Sequence, residues 1–482
     1  METILSNIKM NFIYNIAYQI LIMILPLITT PYISRVLGTE GIGVYSYTYS
    51  IVYYFILFAM LGINNYGNRQ IAKVRDDKQK LAKTFTGIYA MQIITSLIMI
   101  LLYIIYLKFF VHTNKYIAVI QIIYLIATMF DINWFFFGLE KFKLTVTRNV
   151  FIKLITVICI FLFVKQKGDV YLYTIIMSVG TLVSQLLLWP FVKKYTKLVK
   201  IEIKDIIKHL KPCAILFIPT IAVSLYKTMD KIMLGNMTDM HQVGLYENSE
   251  KTTNIITAVI TALGTVMLPR MSNLVANGEK EKEKEYIKKS MEFTFFSSSA
   301  MAFGLMAIAP TFAPLFFGNE FNGVDNIIKY LSITTIFISV ANVIRTQYII
   351  PHEKDKIYIY SVSLGAIINI IINAIMIPKY QSIGAVIGTI FAEFSVMLYQ
   401  IFCVRKEIDI VDYLKKGFSY IIAGIFMYVL VSSLYYIIKN SIVRLLVQFL
   451  VGAVVYLGIS IYIYMKNSGY KNVMEIIKAY KH

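Results

Sequence analysis

Apolar runs separated by short polar segments extend along almost the whole chain of 482 residues. A helix needs about 20 apolar residues to cross the hydrocarbon core of a bilayer, and most of the runs have that length. The pattern therefore predicts about 14 membrane-spanning α-helices. We place them near residues 11–35, 42–64, 86–110, 117–138, 149–167, 170–192, 212–236, 244–269, 289–317, 325–350, 357–378, 382–404, 417–438 and 441–465.

The composition agrees with this pattern. Hydrophobic residues make up 58% of the chain and charged residues only 15%, whereas ordinary globular proteins carry about 25% charged residues. A soluble protein of this length cannot bury so much apolar surface, so the fold class is an all-α membrane protein. The first apolar run lacks a small-residue cleavage site, which predicts a retained helix and not a signal peptide.

The net charge of +20 carries information on topology and does not indicate nucleic-acid binding, because the basic residues alternate with the apolar runs. With the N-terminus placed inside, about 33 of the 47 lysines and arginines fall on the inner side and about 9 on the outer side. This asymmetry predicts that both termini are cytoplasmic. Two inner segments, 198–210 and 473–482, interleave apolar and charged residues, which suits binding to the anionic inner leaflet. For the first segment a solvated linker is an equal alternative.

Two short motifs occur twice, at offsets of about 200 residues. The end of predicted helix 1 reads Arg35-Val-Leu-Gly38 and is followed by Gly43-Val-Tyr45; the end of predicted helix 7 reads Lys231-Ile-Met-Leu-Gly235 and is followed by Gly244-Leu-Tyr246. Similarly, Glu140-Lys-Phe-Lys143 matches Glu353-Lys-Asp-Lys356. Both copies of each motif fall on the same predicted side of the membrane, which indicates a parallel repeat of two six-helix lobes, an architecture typical of transporters.

The repeat predicts a division of the chain into four parts. They are an N-terminal lobe at 1–192, a cytoplasmic basic linker at 193–211, a C-terminal lobe at 212–404, and two further helices with a basic cytoplasmic tail at 405–482. The sequence contains no phosphate-binding loop, zinc-protease motif or serine-hydrolase motif, and no predicted outer loop is long enough for a catalytic domain. We therefore expect a transporter and not an enzyme, with no cofactor and no metal, driven by an ion gradient, the membrane potential or the substrate gradient.

Charged residues within the predicted helices are the main candidates for function, because an ionisable group at membrane depth is costly and usually faces a partner or a water-filled cavity. Predicted helix 7 carries Lys227, Asp230 and Lys231, and predicted helix 8 carries Glu247, Glu250 and Lys251. The spacing i, i+3, i+4 places each set of three on one helix face. Both sets fall in the outer half of consecutive antiparallel helices, so we expect them to meet. They form either a structural salt-bridge cluster or the lining or outer gate of a cavity.

Three further charges lie within predicted helices. Lys153 and Arg345 lie near the inner surface, where they either snorkel to the interface or line the cavity. Glu393 lies deeper and is a candidate proton or sodium site. Asparagine and glutamine residues within spans suit sugar binding or hydrogen bonds between helices; they include Asn133, Gln185, Asn369 and Asn373.

Several motifs resemble those of the polysaccharide-type (Wzx-like) flippases of the multidrug/oligosaccharidyl-lipid/polysaccharide exporter superfamily. In the first half they are the stretch from Leu25 to Ser46, Gly67-Asn-Arg-Gln-Ile-Ala-Lys73, and the stretch from Asp131 to Phe142. In the second half they are Asp230-Lys-Ile-Met-Leu-Gly235, Leu268-Pro-Arg-Met-Ser272, and the stretch from Ile377 to Ala385. The resemblance covers most of the chain up to predicted helix 12.

The resemblance implies two lobes around a central cavity, and transport of an undecaprenyl-diphosphate-linked oligosaccharide from the inner to the outer leaflet of the bacterial cytoplasmic membrane. The implied partners are that lipid-linked substrate, membrane lipids, and a polysaccharide polymerase with glycosyltransferases; we expect a monomer. Buried cations would suit the diphosphate. The candidates from the charge pattern are Lys227, Lys231, Lys251, Lys153 and Arg345, with Asp230, Glu247, Glu250 and Glu393 as candidates for a gate or for ion coupling.

Two alternatives remain at this stage. A cation-coupled drug or small-molecule exporter of the same fold would be favoured by a compact carboxylate site in the N-terminal half, where only Asp131 is a candidate. A membrane enzyme of polymer assembly would need a long outer loop with acidic or histidine residues.

Overall fold

In a computed structural model, the backbone is described for residues 2–468 and the side chains for 25–225 and 227–465. The predicted amphipathic tail at 473–482 lies outside these residues. The described part is helical and contains no strand, which confirms the predicted all-α fold class. Twelve of its helical segments are long and apolar enough to cross a membrane. Two of these contain a non-helical residue, Gly38 and Gln381, and dividing them there gives about the number of spans that the sequence predicts.

The chain forms two compact units, Met1–Gly244 (unit 1) and Leu245–His482 (unit 2). The helices of unit 1 are α1 (Glu2–Met60), α2 (Ile63–Val74), α3 (Lys78–Phe109), α4 (Lys115–Ile120), α5 (Ile122–Met129), α6 (Asn133–Gly138), α7 (Phe142–Phe163), α8 (Val170–Leu186), α9 (Trp189–Val192), α10 (Ile203–Met237) and the first residues of α11 (Met240–Ala276). Unit 2 continues with α12 (Lys280–Phe317), α13 (Val324–Ser332), α14 (Thr334–Ile344), α15 (Asp355–Val404), α16 (Ile410–Ile437) and α17 (Ser441–Ser468).

In unit 1, α1 packs against α3, α5, α7 and α10. One core is aromatic, with Phe85, Trp134, Phe135 and Phe136 fully buried. Gly67 of α2 lies flat on the Trp134 ring, since a Cβ there would be 2.6 Å from Cε3. The α2 helix was not predicted. It follows a left-handed turn at Leu61 and Gly62 and holds the Gly67–Lys73 motif against α6.

In unit 2, α12 packs against α13, α14, α16 and α17. Phenylalanine rings of α12 pack directly against glycines of α16. A Cβ on Gly417 would be 2.2 Å from the Phe295 ring, and a Cβ on Gly424 would be 2.3 Å from the Phe303 ring. Small residues allow such close helix packing in membranes, where apolar area alone gives little driving force.

Several predicted helices begin too late. Among them, α3, α10, α12 and α16 begin at residues 78, 203, 280 and 410, against predicted starts at 86, 212, 289 and 417. The first turns of these four are charged, so hydropathy alone misses them. Salt bridges lie at the starts of α12 and α16, and capping hydrogen bonds stabilise α3 and α10. The Asp77 carboxylate accepts from the backbone N–H groups of Gln79 and Lys80, and Glu202 and Asp205 form a capping box. The end of the predicted linker 193–211 is therefore helical.

Candidate functional site

The three charges of predicted helix 7 lie on α10, which is continuous through them. Asp230 is buried, Lys231 is half-buried and Lys227 is exposed. Two tyrosines of α1 interact with these charges. The Tyr54 hydroxyl donates to the Ser224 carbonyl oxygen at 3.2 Å, and its ring lies within the electrostatic range of Asp230 and Lys231. Tyr53 also interacts electrostatically with Lys231. Unit 1 thus combines cations, a carboxylate and phenol hydroxyls in one place.

A row of tyrosines leads along α1 toward these charges. Tyr45, Tyr49 and Tyr53 are spaced by four residues and therefore share one helix face. The Tyr45 hydroxyl lies 2.8 Å from the Tyr124 hydroxyl of α5, and the Tyr45 ring meets the Tyr173 ring of α8 edge-on at 4.8 Å. Tyrosine combines an apolar ring with a polar tip. The row was missed at the sequence level, although its spacing is visible there.

The charges of predicted helix 8 lie on α11, in unit 2. Lys251 Nζ is 3.0 Å from Glu247 Oε1, an i, i+4 pair within the helix. Glu250 is half-buried on the same helix. Lys251 and Glu247 of the set therefore pair with each other. The expected meeting with the charges of α10 stays a prediction.

A second polar network in unit 1 surrounds Arg148 of α7, a residue just before the predicted start of this helix at 149. Arg148 is buried, and its guanidinium donates to the Ser184 carbonyl at 2.7 Å and to the Asn133 side chain at 2.8 Å. It also donates to Asn149 and Gln185. The Asn133 amide in turn donates to the Asp131 carboxylate at 2.6 Å. Asp131, the one acidic candidate of the N-terminal half, is thereby part of a structural network joining α6, α7 and α8.

The other predicted charges lie on α7, after α14 and on α15. Lys153 is half-buried on α7. Arg345 begins a π-helical turn, Arg345–Ile349, and its guanidinium lies over the Tyr358 ring at 5.2 Å from the centroid. Glu393 lies on α15 with a side chain that is nearly buried.

Two asparagines of α15 pack within unit 2 and form one polar group. The Asn373 amide donates to the Asn369 side-chain oxygen at 3.1 Å, and both residues are fully buried. Gly388 from the segment after the Gln381 break lies against them, since a Cβ there would be 1.9 Å from the Asn373 oxygen. The burial of Asn369 and Asn373 against Gly388 favours hydrogen bonding between helices over sugar binding.

Unit 2 also contains an apolar cavity of about 440 Å³. Its walls come from α11, α12, α16 and α17, and include Ile256, Met301, Gly304, Met427 and Gly452. The two polar side chains in the wall each donate to a backbone carbonyl: the Tyr456 hydroxyl donates to the Phe296 carbonyl at 2.7 Å, and the Gln448 amide donates to the Val431 carbonyl at 3.2 Å. The Gln448 side-chain oxygen is buried and has no hydrogen-bond partner among the described residues. The lining is otherwise mostly apolar, and the volume is typical of a ligand pocket. Within the described residues, no group of three or more His, Cys, Asp or Glu side chains could hold a metal ion.

Comparisons with known proteins bear on this architecture. Residues 8–275 match the family described as "Polysaccharide biosynthesis protein", and residues 212–375 match the family described as "MatE". A protein of Escherichia coli (strain K12) named "Putative O-antigen transporter" is 24% identical over 416 residues, which cover 84% of this chain and 99% of that protein. A protein of the same name from Shigella dysenteriae is also 24% identical, over 79% of this chain and 96% of that protein.

Solved structures share the fold. The structure titled "Lipid II flippase MurJ, inward closed conformation" superposes with a TM-score of 0.79 at 17% identity, over 95% of this chain and 99% of that one. A multidrug resistance transporter of the MATE family in an outward-facing conformation gives a TM-score of 0.53 at 14% identity, over 84% and 96% of the two chains.

Proposed function

Because the chain belongs to the polysaccharide biosynthesis protein family, we propose that it is a flippase that moves an undecaprenyl-diphosphate-linked oligosaccharide from the inner to the outer leaflet of the bacterial cytoplasmic membrane, for cell-surface polysaccharide synthesis. It is a multi-pass membrane protein and a transporter, not an enzyme. The names of its relatives, an O-antigen transporter and, by fold, a lipid II flippase, support a lipid-linked glycan as the substrate class.

The observation that carries the proposal is the apolar cavity in unit 2. An isoprenoid chain can occupy a hydrocarbon-walled cavity without loss of hydrogen bonds, whereas a hydrophilic substrate cannot. Two of its four walls come from α16 and α17, the helices that lie beyond the predicted twelve-helix repeat. These two helices therefore have a function in this proposal: they complete the site for the lipid part of the substrate.

The polar parts of the substrate would be bound elsewhere in the protein. The diphosphate would bind to Lys227 and Lys231 of α10, where the hydroxyl group of Tyr53 adds a donor. Lys251, Lys153 and Arg345 are the further cationic candidates. The tyrosine row along α1 offers ring faces and hydroxyl groups, which match the C–H and O–H surfaces of a sugar.

The transport cycle would be alternating access between two six-helix lobes, with both termini cytoplasmic and the protein acting as a monomer. In this cycle Asp230, Glu247, Glu250 and Glu393 would act in gating or ion coupling. A polysaccharide polymerase and glycosyltransferases would be the partners, because they consume and supply the substrate.

A second candidate is a cation-coupled exporter of drugs or small molecules, which the match of residues 212–375 to the MatE family supports. The two functions are separated by transport in liposomes. Purified protein is reconstituted with a fluorescent undecaprenyl-diphosphate glycan in the inner leaflet, and arrival in the outer leaflet is read by quenching from outside; a parallel set of liposomes is loaded with a cationic dye.

We expect glycan-lipid movement above that of protein-free liposomes, and no dye export. Liposomes with a heat-denatured sample control for leak. Dye export without glycan-lipid movement would contradict the flippase and support the exporter. Movement of undecaprenyl phosphate without a glycan, at the same rate as the full substrate, would contradict the assignment of a glycan substrate.

A further inference from the structure

A cluster of titratable side chains lies at one end of unit 2, apart from the groups described above. The π-helical turn Arg345–Ile349 continues α14, and a tight turn follows it, in which the Lys354 N–H donates to the Ile349 carbonyl at 2.9 Å. π-helical turns are rare in proteins, and those that occur are often found at functional sites. This arrangement fixes the backbone of His352, whose N–H donates to the Tyr348 carbonyl at 3.1 Å.

The His352 ring is held in one orientation. Its Nδ1 lies 2.9 Å from the Tyr348 carbonyl oxygen, and its ring lies against the Tyr348 ring with centroids 4.3 Å apart. A carbonyl oxygen only accepts hydrogen bonds, so Nδ1 carries a hydrogen. In the neutral ring, Nε2 is therefore the acceptor, and it points toward α12.

Nε2 of His352 lies 3.6 Å from Oε1 of Glu283, in the first turns of α12. The Glu283 side chain is only 7% exposed, and within the described residues its Oε1 has no hydrogen-bond partner. With a neutral imidazole and an ionised carboxylate, two acceptors would face each other in a buried position, which is unfavourable. One proton between them satisfies both atoms, either as an imidazolium beside a carboxylate or as a carboxylic acid beside a neutral ring.

We propose that Glu283 and His352 together form a binding site for one proton, at the end of unit 2 that the distribution of basic residues predicts to be cytoplasmic. This inference goes beyond the flippase activity and does not depend on it. The proton comes from water on that side and returns to it, and its binding changes the pair from one negative charge to neutral.

Other charged groups surround the pair on each neighbouring element; they are Lys280 and Lys284 on α12, Tyr348 and Lys354 in the turns, and Glu407 after α15. The Lys354 ammonium and the Tyr348 hydroxyl both donate to the Glu407 carboxylate. The hydrogen bond from Lys354, with that from Tyr348, holds the pKa of Glu407 below its ordinary value. Glu407 is thus already ionised and compensated at neutral pH, and the exchangeable proton belongs to the Glu283–His352 pair.

Proton binding has a mechanical consequence. With the proton present, a hydrogen bond joins the start of α12 to the turn that follows α14. Without it, the two acceptors repel each other and this contact opens. The site therefore couples pH on one side of the membrane to the packing of two helix ends in unit 2.

The proposal is tested by pH-difference infrared spectroscopy of the full-length protein in lipid nanodiscs. We expect a pH-dependent carboxyl signal that is lost in Glu283→Gln and is displaced along the pH axis in His352→Gln. Glu285→Gln changes the same charge on an exposed residue of the same helix end, and His112→Gln removes an exposed histidine; both should keep the wild-type signal.

Hydrogen–deuterium exchange of the same samples provides a readout that does not require the infrared assignment. After correction for the intrinsic pH dependence of amide exchange, the protection factors of residues 280–284 and 350–354 should be about tenfold lower above the transition pH than below it in the wild type, because the contact opens. This difference should disappear in His352→Gln. A wild-type spectrum in Glu283→Gln, or a pH-dependent change in these protection factors that both variants retain, would overturn the proposal.

Discussion

The backbone of Gly43 lies directly against the carbonyl oxygen of Met240, so closely that a Cβ on the glycine would be 1.7 Å from that oxygen. The reciprocal contact is also present. Gly244 lies against the Thr39 carbonyl, where a Cβ would be 2.0 Å from the oxygen. Met240 lies four residues before Gly244, and Thr39 lies four residues before Gly43. Each glycine therefore contacts the residue four positions before the other glycine. The contact is therefore reciprocal: it stays the same when the two glycines are exchanged.

This crossing leads to the first prediction. Gly43→Ala and Gly244→Ala should each destabilise the protein by about 1–3 kcal/mol, because a methyl group must push two helix backbones apart. In an uncrowded helix the same change would stabilise by up to about 1 kcal/mol. Thermal unfolding in detergent measures the effect. Gly168→Ala is the control, because a Cβ there meets nothing within 4 Å. An unchanged melting temperature for both crossing variants would show that the helices separate at little cost.

Arg148 provides a second prediction. Arg148→Ala leaves the side chains of Asn133 and Gln185 without their common donor, and removes the charge that interacts with half-buried Asp131. Loss of one partner of a buried charged network costs about 3–5 kcal/mol. Arg148→Lys keeps the charge but cannot reach all four acceptors, so we expect an intermediate loss. Thermal unfolding is compared with that of Arg69→Ala, an exposed arginine of α2. Equal stability of Arg148→Ala and Arg69→Ala would contradict a structural role of the network.

Filling the apolar cavity should reduce transport without unfolding the protein. A Cβ on Gly304 has its nearest neighbour, Met427 Cε, at 3.8 Å, so Gly304→Leu places a side chain in free space. We expect a loss of glycan-lipid movement of about tenfold or more, since the lipid chain and the leucine compete for one volume. Gly458→Leu on α17 is the matched control, because a Cβ there meets nothing within 4 Å and the residue is exposed. Wild-type transport by Gly304→Leu would exclude the cavity as the lipid site.

The intramembrane charges give a fourth prediction. Lys231→Ala and Glu250→Ala should reduce transport by more than they reduce expression, because the proposed function has these charges bind the substrate or gate its path. The assay is complementation of a polysaccharide-deficient strain, with membrane abundance measured by immunoblot. Lys108→Ala, at the exposed end of α3, is the control for loss of a positive charge. Normal complementation by both variants would remove these residues from the mechanism.

Hydropathy was sufficient for the overall fold because the bilayer imposes one length on every span. The breaks at Gly38 and Gln381 fall between predicted helices 1 and 2 and between helices 11 and 12, as apolar periodicity suggested. Hydropathy failed where charge and helix coexist. The first turns of α10 and α12 are charged and helical, and their stability comes from capping and salt bridges that an apolar window does not detect.

The sites were less predictable, because their partners are far apart in sequence. Arg148 lies just before the predicted start of its helix at residue 149, and its burial depends on Ser184 and Gln185 of the next helix, α8. Glu283 lies in a run of alternating charges that reads as a solvated helix, and only the turn at His352 shows which of these carboxylates is buried. In contrast, the charges of α10 were visible because they interrupt an apolar run.

The helix α17 has a consequence for the membrane around the protein. Its membrane-spanning segment, Ser441–Met465, has 25 residues and is largely exposed, with α12 and α16 as its packing partners among the described helices. At 1.5 Å per residue this segment is roughly 37 Å long, which exceeds the hydrocarbon thickness of about 30 Å. Tilt is one way to accommodate the excess length, and the tilt then depends on the thickness of the surrounding bilayer. Since α17 is also a wall of the apolar cavity, we expect the acyl-chain length of the lipids to change the width of that cavity.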